Sequence, residues 1–240
     1  NLTMSRKIEV CLTPALLNLY NIENSIVVVI DILRATSSIT YGIENGAEAI
    51  IPVANVEDCL NYSGKGYLIA AERNGEVVEG YDFGNSPFSY TKEKVNGKTI
   101  VLTTTNGTKA MHMARETAYQ VVVGSFLNLT SLCNWLQVQN KDVLLLCAGW
   151  KDKFNLEDTL FAGAVVNVLR KDFVHFDDAC VAAEDMYLLA KDNLRGYLKK
   201  SSHNHRLEQL NIEEDVKFCL QLDICQAIPV LEGDNLVALR

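Results

Sequence analysis

The sequence predicts an α/β protein, a three-layer α/β/α arrangement on a mainly parallel or mixed sheet, and three observations predict it. Several short runs, Ile26–Ile30 and Val143–Cys147 among them, are apolar throughout, which is the pattern of strands buried on both faces. Segments with helical spacing and capping residues lie between these runs, so strands and helices alternate along the chain. No internal repeat, low-complexity tract or long linker interrupts the alternation. Residues 1–240 therefore read as one unit, or as two closely packed lobes with no boundary assigned.

Taken in order, Lys7–Leu12 alternates through Ile8, Val10 and Leu12 and reads as a first strand. Ser25–Asp31 is the strongest strand, rich in β-branched residues, and the segment from Ile32 to about Glu44 leads into a helix. Glu48–Val53 is a short strand and Asn55–Asn61 a helix capped by Asn55. Gly66–Ala71 is a strand running into Glu72-Arg73, with Asn74-Gly75 as a turn signal. Glu79–Pro87 is rich in glycine and polar residues and has little periodicity. Strand Thr99–Thr103 opens into Thr104-Thr105-Asn106-Gly107-Thr108, and a helix follows from Lys109 to Ala114. Asn106 or Thr105 can cap that helix, Gly107 lets the backbone approach a ligand, and free N–H groups with the helix dipole favour an anion there.

Val121–Val123, helix Leu127–Val138 and strand Asp142–Cys147 come next. Asn155 then caps helix Leu156–Arg170, with Glu157 and Asp158 in its first turn. Asp177–Lys199 reads as mostly helical, Ser201–His205 as a polar break, and Leu207–Leu220 as helical again. Ala227–Leu231 and Leu236–Leu239 close the chain as strands around Glu232-Gly233-Asp234-Asn235.

Composition narrows the function classes. A formal net charge of −8 with no lysine/arginine cluster argues against nucleic acid or an anionic membrane surface as main partner. The longest apolar runs are strand-length, too short to cross a bilayer, and no secretory leader opens the sequence, so a cytoplasmic protein is expected. The 7 cysteines are odd in number and never spaced Cys-x-x-Cys, which suits buried free thiols in a reducing compartment. There is no heptad seam, and assembly as a homo-oligomer is left open.

Parallel α/β sheets bind ligands outside the carboxyl ends of their strands, and here those ends are unusually polar. Ile30 leads to Asp31 with Arg34 nearby, Ala71 to Glu72-Arg73, Leu102 to the threonine turn, and Cys147 to Gly149, Glu157 and Asp158. Carboxylates with few histidines suit a hard, oxygen-preferring cation such as Mg²⁺, and arginines suit bidentate grip of phosphate or sulfonate. The set suggests metal-assisted chemistry on a small anionic phosphoester. The 4 histidines show no metal spacing, although His203 and His205 sit in the polar break and can reach a site. Cys147 lacks the arginine six residues on that a cysteine-phosphatase loop requires, because Lys153 stands there.

The motifs together resemble the 2-phosphosulfolactate phosphatases of the ComB family. The resemblance rests on Val28–Ser37, Glu72-Arg73, Gly80–Pro87, Thr103–Thr108, Cys147-Ala148-Gly149, Glu157-Asp158, Glu214–Cys219 and Leu222-Asp223, in family order over nearly the whole chain. It implies a magnesium-dependent hydrolase that converts (2R)-2-phospho-3-sulfolactate to 3-sulfolactate and phosphate, a step toward coenzyme M. The expected alternatives are a phosphatase of another small phosphorylated hydroxy acid, or a non-catalytic binder of organic anions. Chemistry assigns Asp31, Arg34, Glu72, Arg73 and Asp158 as catalytic candidates around a metal-activated water. Arg34, Arg73, Asn85, Ser86, Thr104, Thr105, Asn106, Gly107 and Thr108 are the expected substrate-binding set. Mg²⁺ is expected among Asp31, Glu157 and Asp158, with Glu72, Asp82 and Asp223 as further candidates.

Overall fold

The computed structural model describes residues 5–210 and 212–240. Eleven strands follow one another in sequence as β1 (Lys7–Cys11), β2 (Ser25–Ile30), β3 (Ala49–Pro52), β4 (Leu68–Arg73), β5 (Glu76–Val77), β6 (Thr99–Thr103), β7 (Gln120–Gly124), β8 (Asp142–Cys147), β9 (His175–Phe176), β10 (Pro229–Glu232) and β11 (Asn235–Ala238). The helices are α1 (Ala35–Glu44), α2 (Val56–Leu60), α3 (Lys92–Val95), α4 (Gly107–Arg115), α5 (Leu129–Val138), α6 (Leu156–Leu169), α7 (Asp178–Ala190), α8 (Leu194–Leu198), α9 (Ser202–Gln209) and α10 (Glu213–Cys219). This is the expected layered α/β architecture on a mixed sheet.

The strands lie in the order β5-β4-β6-β3-β11-β10-β7-β2-β8-β1-β9. Two parallel blocks, β9-β1-β8-β2-β7 and β3-β6-β4, are joined by the antiparallel hairpin β10–β11. The hairpin touches each block through a single antiparallel pair, Val230 with Val122 and Leu236 with Ile50. Three antiparallel pairings in succession set the two blocks running in opposite senses. Neighbouring strands are also rotated by about −20 to −25° each, so the pairings from β2 through β7, β10, β11 and β3 to β6 accumulate roughly 100° or more of turn. The carboxyl end of β6 is thereby swung back beside that of β2.

Burial explains the patterning. On β2, Ile26, Val28 and Ile30 enter a core with α5, α6 and α7, whereas Val27 and Val29 enter a second core with α1 and α4. A third cluster of Ile51, Val53, Cys59, Ile69 and Val101 lies under α2. All 7 cysteines are free and buried. Burial pushes the thiols up, Cys11 to about 11 and Cys219 to about 12, which leaves them unreactive. Among the described residues, no helix is long and apolar enough to cross a membrane.

Two expectations are corrected in the last third. The polar segment 201–205 is no break. Ser201 accepts a hydrogen bond from the Asn204 N–H at 3.0 Å and starts α9, which Leu207 anchors in the core. The single helix expected over Leu207–Leu220 is two, α9 and α10. Glu213, Glu214 and Asp215 fill the first turn of α10, where the helix dipole favours them, so an acidic triplet that reads as mid-helix marks a start. Asn211, between the two helices, lies outside the described residues.

Candidate active site

Where the carboxyl ends of β2, β4, β6 and β8 converge, a small cavity of about 30 Å³ lies under α9. Asp31, Arg34, Glu72, Asn85 and Asn106 line it from the strand side, and Trp150, His203, Arg206, Leu207 and Leu210 cover it. The space holds about two water molecules.

Asp31 is the first residue after β2. Its own N–H donates to Thr36 Oγ1 at 3.0 Å, which orients the strand end, and its carboxyl group faces the cavity. Burial raises its pKa well above the usual carboxylate range, and Asp158 adds to this. His203 pulls the other way, and Glu72 and Glu157 push up further. Asp31 and Glu72 thus face one cavity with Asp158 and Glu157 buried close behind, an arrangement that stores repulsion until a cation or proton joins it.

Asp158 sits behind Asp31 as a clamp. Its Oδ1 accepts from the Ile32 N–H at 3.0 Å, and its Oδ2 accepts from the Gly149 N–H at 3.1 Å and Asn155 Nδ2 at 3.0 Å. It therefore ties the ends of β2 and β8 to the first turn of α6. Burial and the adjacent Glu157 push it up to about 8, while the three donors pull down. Glu157, 1% exposed, pairs through Oε1 with His203 Nδ1. Its Oε2 is buried with no partner among the described residues.

The threonine turn is built against Asp31. A Cβ on Gly107 would lie 3.0 Å from Asp31 Oδ2 and 3.1 Å from the Ala35 Cβ, so any larger residue would press on both. Thr104 and Thr108 bond each other, with the Thr108 N–H reaching Thr104 Oγ1 at 3.2 Å and the Thr104 N–H reaching Thr108 Oγ1 at 3.3 Å. Glu72 accepts from the Thr105 N–H at 3.2 Å and from Thr105 Oγ1. The protein's own carboxylate thus occupies much of the turn's donor capacity. Asn106 stands at the N-cap position without capping, and its Oδ1 instead accepts from the Lys151 N–H at 2.9 Å.

The arginines divide. Arg34, 5% exposed, lines the cavity, but Nη1 donates to Asp215 Oδ2 at 2.9 Å and Nη2 to the Gly75 carbonyl at 2.7 Å. Ser86 Oγ donates to the other Asp215 oxygen at 2.9 Å, so Ser86 supports this pair. Arg73 is not among the cavity-lining residues; it donates to the Glu72 carbonyl at 2.7 Å and to Thr103 Oγ1 at 3.1 Å. Asn85 faces the cavity with a buried Oδ1 that has no partner among the described residues. Asp82 is used by the Ile69 N–H at 2.8 Å and Asp223 by the Thr130 N–H at 2.8 Å, both away from the cavity.

Two cavity residues, Trp150 and Arg206, stand outside the residues that motif reasoning assigns, because they carry no strand-end signal. Trp150 stacks on His203 at 5.8 Å between ring centroids and carries the Arg206 guanidinium 4.1 Å above its ring. His203 enters the site as the sequence allows, whereas His205 is exposed and faces Glu208.

No three His, Cys, Asp or Glu side chains among the described residues converge at metal-ligand spacing. Asp31, open to the cavity, and Glu157, with its unpartnered Oε2, nevertheless provide hard oxygens. Mg²⁺ commonly takes one or two protein carboxylates and completes its shell with water and substrate phosphate, so the residues present fit that ion.

Buried carboxylates at strand ends, a closely packed glycine turn and a cover carrying Arg206 are the features of an α/β enzyme site. The family model for 2-phosphosulpholactate phosphatase matches residues 11–234, and the chain belongs to that family. It is 44% identical over 211 residues to a probable 2-phosphosulfolactate phosphatase of Thermotoga petrophila, covering 88% of this chain and 90% of the relative. A protein of the same description from Caldanaerobacter subterraneus is 42% identical over 213 residues, covering 86% and 88%. One from Clostridium novyi is 34% identical over 227 residues, covering 93% and 96%.

Proposed function

We propose that this protein hydrolyses (2R)-2-phospho-3-sulfolactate to 3-sulfolactate and phosphate with the help of Mg²⁺. The observation that carries the reading is Asp31, a buried carboxylate facing a partly open cavity at the strand ends in a chain of this family. Asp31 and Glu157 would hold the ion, which when bound polarises a phosphoryl oxygen and offsets charge on the ester. Asp158, bonded to three N–H donors, fixes the frame on which Asp31 sits.

With Nδ1 directed to Glu157, His203 presents Nε2 as the nitrogen that exchanges protons. A water molecule attacks phosphorus in line, and His203 Nε2 takes its proton. The P–O ester bond breaks, and the same proton is delivered to the leaving alkoxide. Trp150 and Glu157 hold the imidazole between them, as orienting groups hold a catalytic histidine. The cavity, about 30 Å³ and partly open to solvent, is smaller than the substrate, and outward movement of α9 or the 73–76 turn would widen it.

The test is phosphate release from phosphosulfolactate, phospholactate and 3-phosphoglycerate, each with and without Mg²⁺. Magnesium-stimulated release fastest from phosphosulfolactate is expected. Release fastest from another hydroxy-acid phosphate reassigns the substrate, and no release from any of the three marks a binder of organic anions.

A further inference from the structure

We propose that Arg206 is the residue that grips the substrate's oxyanion, a role that rests on the site being the one described above. Its Nε and Nη2 are buried and have no hydrogen-bond partner among the described residues. The side chain as a whole is half-buried, but leaving two buried guanidinium nitrogens unpaired is costly, and such groups are held where a ligand completes them. Arg206 lines the cavity, and its planar face lies on Trp150 with 4.1 Å between the guanidinium carbon and the ring centroid. Stacking fixes the plane of the guanidinium and leaves its N–H edge for two parallel bonds to a phosphate or sulfonate.

Most competing cations are already committed, and Lys151, 5.2 Å over the Trp150 ring, is not among the cavity-lining residues. Arg34 is bound by Asp215 and the Gly75 carbonyl, Arg73 by the Glu72 carbonyl and Thr103, and Lys109 by Asp152 at 2.7 Å. The cavity meanwhile faces Asp31 and Glu72, so a multiply charged substrate would be repelled without a cation of its own. Burial lowers the Arg206 pKa and Glu157 offsets this, as suits a cation kept charged near carboxylates. Because His203 lies one turn earlier on α9, closing this helix would deliver anion grip and proton carrier together.

The test uses the full chain as Arg206→Met and Arg206→Lys, with melting temperature, calorimetric binding of inorganic phosphate, and steady-state kinetics. Arg206→Met should melt higher than wild type without ligand, because two buried, unpaired guanidinium nitrogens are removed. Its phosphate affinity should fall roughly 10- to 100-fold, with Arg206→Lys between the two. KM should rise on every phosphoester if Arg206 meets the phosphate or carboxylate, and on phosphosulfolactate alone, with phospholactate spared, if it meets the sulfonate. Unchanged phosphate affinity and unchanged KM, with a lower melting temperature, would make Arg206 a structural residue and overturn the assignment. A wild-type protein that binds phosphate through Arg206 yet hydrolyses no ester would sink the hydrolase reading and leave this one standing.

Discussion

Asp158→Asn separates a clamp from a metal ligand. The carboxylate receives one N–H at Oδ1, from Ile32, and two at Oδ2, from Gly149 and Asn155. Asparagine keeps one oxygen and replaces the other by an NH₂ donor. The amide satisfies most bonds by turning its oxygen to Gly149 and Asn155, and its NH₂ then faces the Ile32 N–H. One buried N–H is left without an acceptor, at a cost of about 1–3 kcal/mol. For a chain of this size each kcal/mol moves the melting temperature by about 2–4 °C, so a drop of roughly 2–12 °C is expected. Differential scanning calorimetry without metal at about pH 9, above the value of about 8 to which Asp158 is raised, reads it on the ionised carboxylate. Activity should fall as well, because the Ile32 N–H anchors the residue next to Asp31. A variant that melts like wild type but has lost its response to Mg²⁺ would refute the clamp and make Asp158 a ligand.

Gly107→Val should abolish most activity while leaving a folded protein. Its side chain would press on Asp31 Oδ2 and the Ala35 Cβ, at 3.0 and 3.1 Å from the Cβ alone. Wild-type kcat in this variant would show the close approach to be unnecessary. The pH dependence of stability follows from the raised carboxyl groups. Asp31 and Asp158, the latter raised from 3.8 to about 8, bind protons more tightly folded than unfolded. The Asp158 contribution is present in full below about pH 4 and is lost as pH rises toward about 8, and the Asp31 contribution is likewise lost as pH rises. Melting without metal should therefore fall between about pH 5 and pH 8, and Asp31→Asn should flatten that fall while removing activity. Equal slopes in wild type and Asp31→Asn, followed by calorimetry, would contradict shared repulsion at the site.

The strands with continuous apolar runs were legible from the residues alone, because burial on both faces leaves no polar position in Ile26–Ile30 or Val143–Cys147. Local chemistry also declared the Asn55 and Asn155 caps and the Asn74-Gly75 turn, where both residues have positive φ. Those interactions span a few residues, so the sequence carries them whole. The strand-end carboxylates were visible for the same reason. Which of them face one another was not. Whether Arg34 is free or bound to Asp215 depends on a contact across 181 positions, and Arg73 turns away for reasons its neighbours in the chain do not state. Helix α9 was hidden because it has one anchoring leucine and a polar surface, so periodicity is silent where Leu207 and the Trp150 stack do the holding. Sequence alone determined the strands, most of the helices and the family. Tertiary structure decided the site, because accumulated strand twist and long-range charge pairing choose which ends meet and which cation is left for the ligand.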